Sequence, residues 1–237
     1  MNNALRSVFV SVFIYLTGGG SSFAQTPAYK AELLFNNSIK QQSLLYNGLA
    51  FDGYAPNVDG SANFQDLNAF STGSVVYQGF RFDNLPLMYD IFQDKLISML
   101  GTFSKYSLIS DKVTEFYLNN HHFKYLNVVD STKSVIKSGF YDLIHDGKSK
   151  IYVKRIKHMQ YSLENKVVRY YFVPKTTYYL ERAQNYSVIN GEKSFFNYFK
   201  DKKPELKKLL KEKKIKFRKQ PEDAMILLAS YYESLTN

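Results

Sequence analysis

The chain has 237 residues, with 20 Tyr, 19 Phe, no Trp, no Cys and a formal net charge of +10. That length asks for one sizeable core and at most a short appendage. The missing thiols exclude disulfides, cysteine nucleophiles, thiolate metal sites and a lipid anchor on an N-terminal cysteine. The charge is local: between Glu192 and Gln220 there are 12 Lys or Arg against four Asp or Glu, so eight of the ten net charges lie in that window.

In chain order, Arg6 opens a basic n-region and Val8 to Leu16 form a short apolar run. Gly18-Gly19-Gly20 then breaks any helix, and Ser22-Phe23-Ala24 puts small residues at the −3 and −1 positions of a cleavage site. A run of that size is less than half of the about 20 residues needed to cross a bilayer. The pattern predicts a secretory signal peptide over residues 1–24, cleaved after Ala24, and an exported mature chain. Residues 25–72 read as a lead-in and loops, punctuated by Asn47-Gly48, Asp52-Gly53, Pro56-Asn57 and Asp59-Gly60.

From residue 73 to 190 alternation dominates. Val75 to Tyr77 and Phe80 to Phe82 flank Gln78-Gly79, Leu85, Leu87, Tyr89 and Ile91 share a face, and Leu96 to Leu100 follow Gln93-Asp94. Thr114 to Leu118 and His122 to Leu126 surround Asn119-Asn120, while Gly139 to Ile144 and Lys150 to Ile156 surround Asp146-Gly147, a strong hairpin cue. Val167 to Val173, Tyr178 to Glu181 and Tyr186 to Ile189 complete about nine or ten predicted strands. Short turns between neighbours imply an antiparallel meander, because parallel strands need long crossovers.

Over 191–237 the period becomes helical. Phe195, Phe196 and Phe199, then Leu206, Leu209 and Leu210, then Ala224, Met225, Leu228, Tyr231 and Tyr232 mark two or three short amphipathic helices. Asp201 with Pro204, and Pro221 with Glu222-Asp223, are start signals. The predicted class is α+β, mainly β: an antiparallel β-meander, as a curved sheet or half-barrel, packed with this basic helical tail.

No catalytic set emerges from this order. His121 and His122 are adjacent and point to opposite faces of a strand, and His145 and His158 are isolated, so no metal-ligand spacing is present. There is no Gly-x-Ser-x-Gly elbow, and Ser134 with Lys137 match Ser-x-x-Lys without its companion triplets. Asp83, Asp90 and Asp94 cluster around one hairpin, as Asp111 and Glu115 do nearby, in positions suited to capping turns. Neither a metal nor a cofactor is called for. A hydrolase assembled from distant residues stays open.

The stretch Gly73 to Phe80, followed by Asn84-Leu85-Pro86-Leu87-Met88-Tyr89-Asp90, together with Gly139-Phe140-Tyr141, Asp146-Gly147-Lys148 and the tail from Lys202 to Tyr232, resembles uncharacterised exported β-rich proteins of Bacteroidetes-type bacteria. The resemblance implies export to the periplasm or cell surface and a shared fold. It carries no activity, and it makes the formal sequons at Asn36 and Asn185 irrelevant.

Two readings of function follow. One is a non-enzymatic exported binding or structural module, with a lipid, a glycan or an envelope protein as partner and nucleic acid excluded by location. The other is a carrier of a lipid or other apolar ligand, in which Tyr77, Phe82, Tyr89 and Phe140 border a cavity in the curved sheet. Lys207, Lys208, Lys211 and Lys214 are the candidates for contact with an anionic surface, against a plain solvated helix face.

Overall fold

The computed structural model describes residues 43–128 and 134–236. The expected signal peptide and residues 25–42 lie outside the described residues. Twelve strands form one open, curved sheet, more than the nine or ten predicted. In chain order they are β1 (Leu49–Ala50), β2 (Val58–Asp59), β3 (Ser71–Tyr77), β4 (Phe80–Asp90), β5 (Lys95–Leu100), β6 (Ser104–Ser107), β7 (Val113–Leu118), β8 (His121–Leu126), β9 (Gly139–Asp146), β10 (Lys150–Glu164), β11 (Val167–Arg182) and β12 (Asn185–Ile189). The spatial order is β1-β6-β5-β4-β3-β7-β8-β9-β10-β11-β12, so most neighbours are joined by hairpins. All these pairs are antiparallel, and β2 adds one parallel pair against β11.

The tight turns explain the meander. Gln78-Gly79, Asn119-Asn120, Asn165-Lys166 and Ala183-Gln184 all hold two successive positive φ values. Such turns match the right-handed twist of the strands they join. The first two are readable from their Gly and Asn; the turn at Ala183-Gln184 is marked only by the gap between the strands expected at Tyr178 to Glu181 and Tyr186 to Ile189.

β10 and β11 are 15 and 16 residues long and pair without interruption from Lys150↔Glu181 to Glu164↔Val167. Val167 to Val173 and Tyr178 to Glu181, expected as two strands, are one, with Pro174 inside β11 opposite Lys157. The Lys157 N–H points away from β11 and donates to the Ile91 carbonyl at 3.2 Å, and the Tyr170 N–H points away from β10 to the Asn57 carbonyl at 3.1 Å. Positions 170, 174 and their partners are therefore non-hydrogen-bonded pairs, where a missing N–H costs the ladder nothing. Beyond Lys157 the two strands run on as a ribbon of about 24 Å by strand rise, with β2 paired to it at Tyr170 and Tyr171.

Curvature brings the end of β4 to β10, through the Lys157–Ile91 bond and the Lys154–Asp94 ion pair. The enclosed core holds Phe64, Tyr89, Phe116, Phe123 and Phe140. Phe116 stacks on Phe123 at 4.6 Å, and Tyr89 meets Phe116, Phe123 and Phe140 edge-on at 5.0–5.8 Å. Leu45 and Phe64 join this core, so the segment read as lead-in and loops supplies packing.

Tyr77 is fully buried here, and its hydroxyl has no hydrogen-bond partner among the described residues. Desolvation of that group works against the folded state. Tyr77→Phe is expected to be neutral or to stabilise by about 1 kcal/mol, read from urea unfolding midpoints; a loss above about 1 kcal/mol would mean the hydroxyl is satisfied.

A second core lies under three helices, α1 (Glu192–Tyr198), α2 (Lys203–Glu212) and α3 (Pro221–Thr236). Phe195, Phe196, Phe199, Leu206, Met225 and Leu228 pack with Ile151, Leu180 and Ile189 of the sheet. The apolar stripes read from sequence are these buried faces. Pro204 lies in the first turn of α2 as expected, but Lys202 holds the N-cap position. Asp201 instead accepts a hydrogen bond from Tyr232 Oη at 3.2 Å, pinning α3 to the turn before α2. A third, smaller cluster of Ile136, Tyr141, Leu143 and Tyr152 packs separately, with Tyr179 and Tyr186 against it.

Candidate functional site

The main site candidate is an open cleft of about 810 Å³ between the β3–β4 pair and the β7–β8 turn. It exists because the β3–β4 register slips: Gly73 faces Leu85 while Val75 faces Phe82, so Ser74 alone opposes Asp83 and Asn84. This bulge bends β4, with Asn84 at φ 58°. Gly73 is required beside it, since a Cβ there would lie 2.4 Å from the Tyr117 carbonyl oxygen. The walls are polar: Thr72, Ser74, Asp83 and Asn84 from one side, Asn119 and Asn120 from the other.

Both adjacent histidines border the cleft although their rings point to opposite faces, as the strand period requires. His121 points inward. Its Nδ1 lies 2.7 Å from Asp142 Oδ2, which also accepts from Arg155 at 2.8 and 3.2 Å. A carboxylate facing Nδ1 assigns the proton to that nitrogen, which leaves Nε2 as an acceptor toward Gln65 Nε2 at 3.4 Å. Asn119 in turn donates to Gln65 Oε1 at 3.2 Å. A chain of polar groups thus runs from the buried Asp142 carboxylate through His121 and Gln65 to the cleft rim.

An Asp–His pair could serve as a general base if a nucleophile stood at Nε2. Here a carboxamide stands there, and the cleft serine, Ser74, accepts from Arg81 at 3.3 Å. The pair orients the Phe64–Asp66 turn; the His121 ring lies edge-on to Phe64 at 4.8 Å. Outward, His122 meets Glu115 at 3.0 Å and stacks on Tyr117 at 4.2 Å with 10° between planes. Arg81 covers the Tyr117 ring at 5.7 Å and bonds Asp83 at 2.9 Å. The outer wall is therefore a stacked Arg–Tyr–His ladder with each charge matched.

Beneath the cleft lies a buried ionic lattice that sequence reading missed. Arg155 bridges Asp142 and Glu222, each at 2.8 Å, and Tyr178 Oη donates to Glu222 at 3.3 Å. Burial works against the charge on Arg155, but its bonds to Glu222 and Asp142 outweigh that and hold its pKa above the ordinary value. Lys154 Nζ donates to Asp94 at 2.6 Å and to the Phe140 carbonyl at 2.9 Å; burial lowers its pKa, and Asp94 opposes the shift. Lys157 donates to the Ser61 carbonyl at 2.6 Å, to the Asn63 carbonyl at 3.2 Å and to Asp66. The available signal was phase: Arg155 and Lys157 share the core-facing phase of Val153, and Asp142 interrupts the apolar run Phe140 to Ile144.

Of the carboxylates singled out from sequence, Asp90 caps a turn, whereas Asp83, Asp94 and Glu115 pair with Arg81, Lys154 and His122. Asp90 accepts from the Phe92 and Gln93 amides at 2.9 and 2.8 Å and from Tyr54 Oη, and burial raises its pKa against those bonds. Ser134 accepts from the Ile136 amide at 3.3 Å in a local turn, and Lys137 bonds Tyr141 through its backbone. His145 lies 3.4 Å from Glu233 of α3, and His158 is exposed. Among the described residues no group of three potential ligands could hold a metal ion.

Tyr77, Tyr89 and Phe140 are buried and Phe82 packs beside them in the first core; none lines the cleft. Lys207, Lys208, Lys211 and Lys214 are exposed, with Lys208 3.9 Å from Glu212 and Lys207 5.8 Å from the Phe196 ring. No helix among the described residues is long and apolar enough to cross a membrane. Comparison with protein-family models, curated proteins and solved structures found no match.

Proposed function

We propose that this chain is an exported, non-enzymatic binding module of the periplasm or cell surface, and that the bulge cleft takes a small, uncharged polar ligand of the glycan class. The observation that carries this reading is the wall chemistry: carboxamides and hydroxyls from Asn84, Asn119, Asn120, Thr72 and Ser74 converge on one open hollow. Such groups recognise hydroxyl-bearing ligands by exchanging hydrogen bonds with water. The charges near the rim are already paired with one another, which disfavours a strongly ionic ligand. Export rests on the order of basic, apolar and small residues over 1–24.

The carrier alternative requires open space beside Tyr77, Phe82, Tyr89 and Phe140, and rings packed at 5.0–5.8 Å around Tyr89 count against it. Asn84→Gly and Asn120→Gly keep the positive φ of their positions and delete the carboxamides. In titrations of neutral hexose and N-acetylhexosamine oligosaccharides followed by amide NMR shifts, wild type is expected to respond at residues 72–74 and 117–122. The double variant should bind about tenfold or more weakly, the loss of one or two net hydrogen bonds. Absence of any shift at millimolar sugar would remove the glycan reading.

A further inference from the structure

The β10–β11 ribbon ends in an apex whose side chains no core explains. Tyr161 and Leu163 are 71% and 69% exposed, and Val167, Val168 and Tyr171 are also exposed. Strand period puts Met159, Tyr161 and Leu163 on one face, directly opposite Phe172, Tyr170 and Val168. The inner half of that face is covered, where Phe172 meets Tyr54 and Phe92 at 5.2 Å each. The outer half, with Tyr161 and Leu163, is exposed. Val167 and Tyr171 occupy the reverse face, so apolar groups surround the Asn165-Lys166 turn on both sides.

We infer that this apex is a membrane-docking tip that inserts its apolar side chains into the interfacial layer of an anionic bilayer. Three observations select that occupant. The apex projects beyond the strands that flank its base, since β9 pairs β10 only at 150–153 and β12 pairs β11 only at 178–182; an exposed two-stranded tip offers little hollow for a partner's side chain, whereas acyl chains deform around it. Its composition is that of interfacial anchors, aromatic and aliphatic groups mixed with Lys and Arg. Its charge is basic: Lys166 and Arg169 stand against Glu164 around the turn.

The nearest described acid, Asp59, meets Arg169 at 3.5 Å with both side chains half-exposed, a contact that lipid phosphate can replace. A second copy would bring two basic tips together, which charge disfavours. The net charge of +10, concentrated in the tail, adds the long-range attraction that draws the chain to a negative surface before the tip engages. The inference concerns a different surface from the cleft and does not depend on what the cleft binds.

The chain has no Trp, so Leu163→Trp places a single fluorophore at the exposed tip. With vesicles of phosphatidylcholine and phosphatidylglycerol at 7:3, its emission is expected to shift to the blue and to be quenched by lipids brominated near the headgroup, with little response to pure phosphatidylcholine. Neutralising Lys166 and Arg169 to Gln should weaken vesicle binding about tenfold or more, and added salt should do the same to the parent protein. Tyr161→Ser with Leu163→Ser should abolish co-sedimentation with the same vesicles while leaving the melting temperature unchanged. The proposal is overturned if the fluorophore stays red-shifted with anionic vesicles or if the serine variant still sediments. A blue shift that needs no lipid and grows with protein concentration would assign the tip to a second copy instead.

Discussion

Arg155→Met is expected to lower the unfolding free energy by about 3–5 kcal/mol, the cost of breaking a buried ion pair by removing one partner. Two carboxylates depend on this guanidinium: Asp142, only 2% exposed, and Glu222 at the start of α3. Without Arg155, among the described residues Asp142 keeps the His121 contact and Glu222 keeps Tyr178. For a domain of this size that loss corresponds to roughly 6–20 °C in melting temperature. Lysine should rescue little, because one ammonium cannot reproduce a fork that spans two carboxylates. The location of the damage is also specified: amide exchange should rise at the N-terminal turn of α3 and along β9 before it rises in the β3–β4 pair. A melting temperature within a few degrees of wild type would show that the lattice is dispensable.

Raising the pH above 10 should destabilise the protein steeply. Burial pushes the phenols of Tyr54, Tyr89, Tyr141, Tyr152 and Tyr178 above their ordinary value of 10.0, those of Tyr141 and Tyr178 to about 12. Between pH 10 and 12 the unfolded chain releases these protons and the folded chain keeps them. The folded state then binds more protons, and stability falls as pH rises. Tyr141 is fully buried and contributes about 2 kcal/mol of the loss by pH 12; the partly exposed Tyr178 contributes roughly half of that after solvent screening. Lys154 acts in the opposite direction: its pKa is lowered on folding, so the penalty it carries below that value is relieved as pH rises toward 10.5. One lysine does not offset the tyrosines. Guanidinium unfolding at pH 8 and pH 11, with phenolate absorbance read in parallel, checks this. Equal midpoints at the two pH values would contradict it.

Much of the architecture is written locally. Gln78-Gly79 and Asn119-Asn120 carry the positive φ of their turns in residue type, and the spacing of Phe195, Phe196 and Phe199 declares the face that α1 buries. The long ribbon is less legible, because the alternation reads only to Ile156 and separates Val167 to Val173 from Tyr178 to Glu181; the direction of neighbouring N–H groups shows why Pro174 is tolerated within it. The site was less legible for a different reason. Asn84, Ser74 and Asn119 meet through a register slip between β3 and β4, and His121 meets Asp142 and Gln65 across separations of 21 and 56 residues. A charge on the apolar phase of a strand hints at a buried partner, but which partner is decided by curvature that no single strand encodes.

Pro174 has a further effect on how this chain chooses one alignment. If β11 slipped by one residue along β10, the proline would fall on a bonding position and delete a ladder hydrogen bond. The same slip would carry every side chain of the ribbon to the opposite face. A slip by two would restore parity but lengthen the two-residue turn at Asn165-Lys166, whose paired positive φ values fit only the tight connection. The proline and the turn together act as a two-part key for the register, so the ribbon can extend far past the sheet and still present Leu163 opposite Val168.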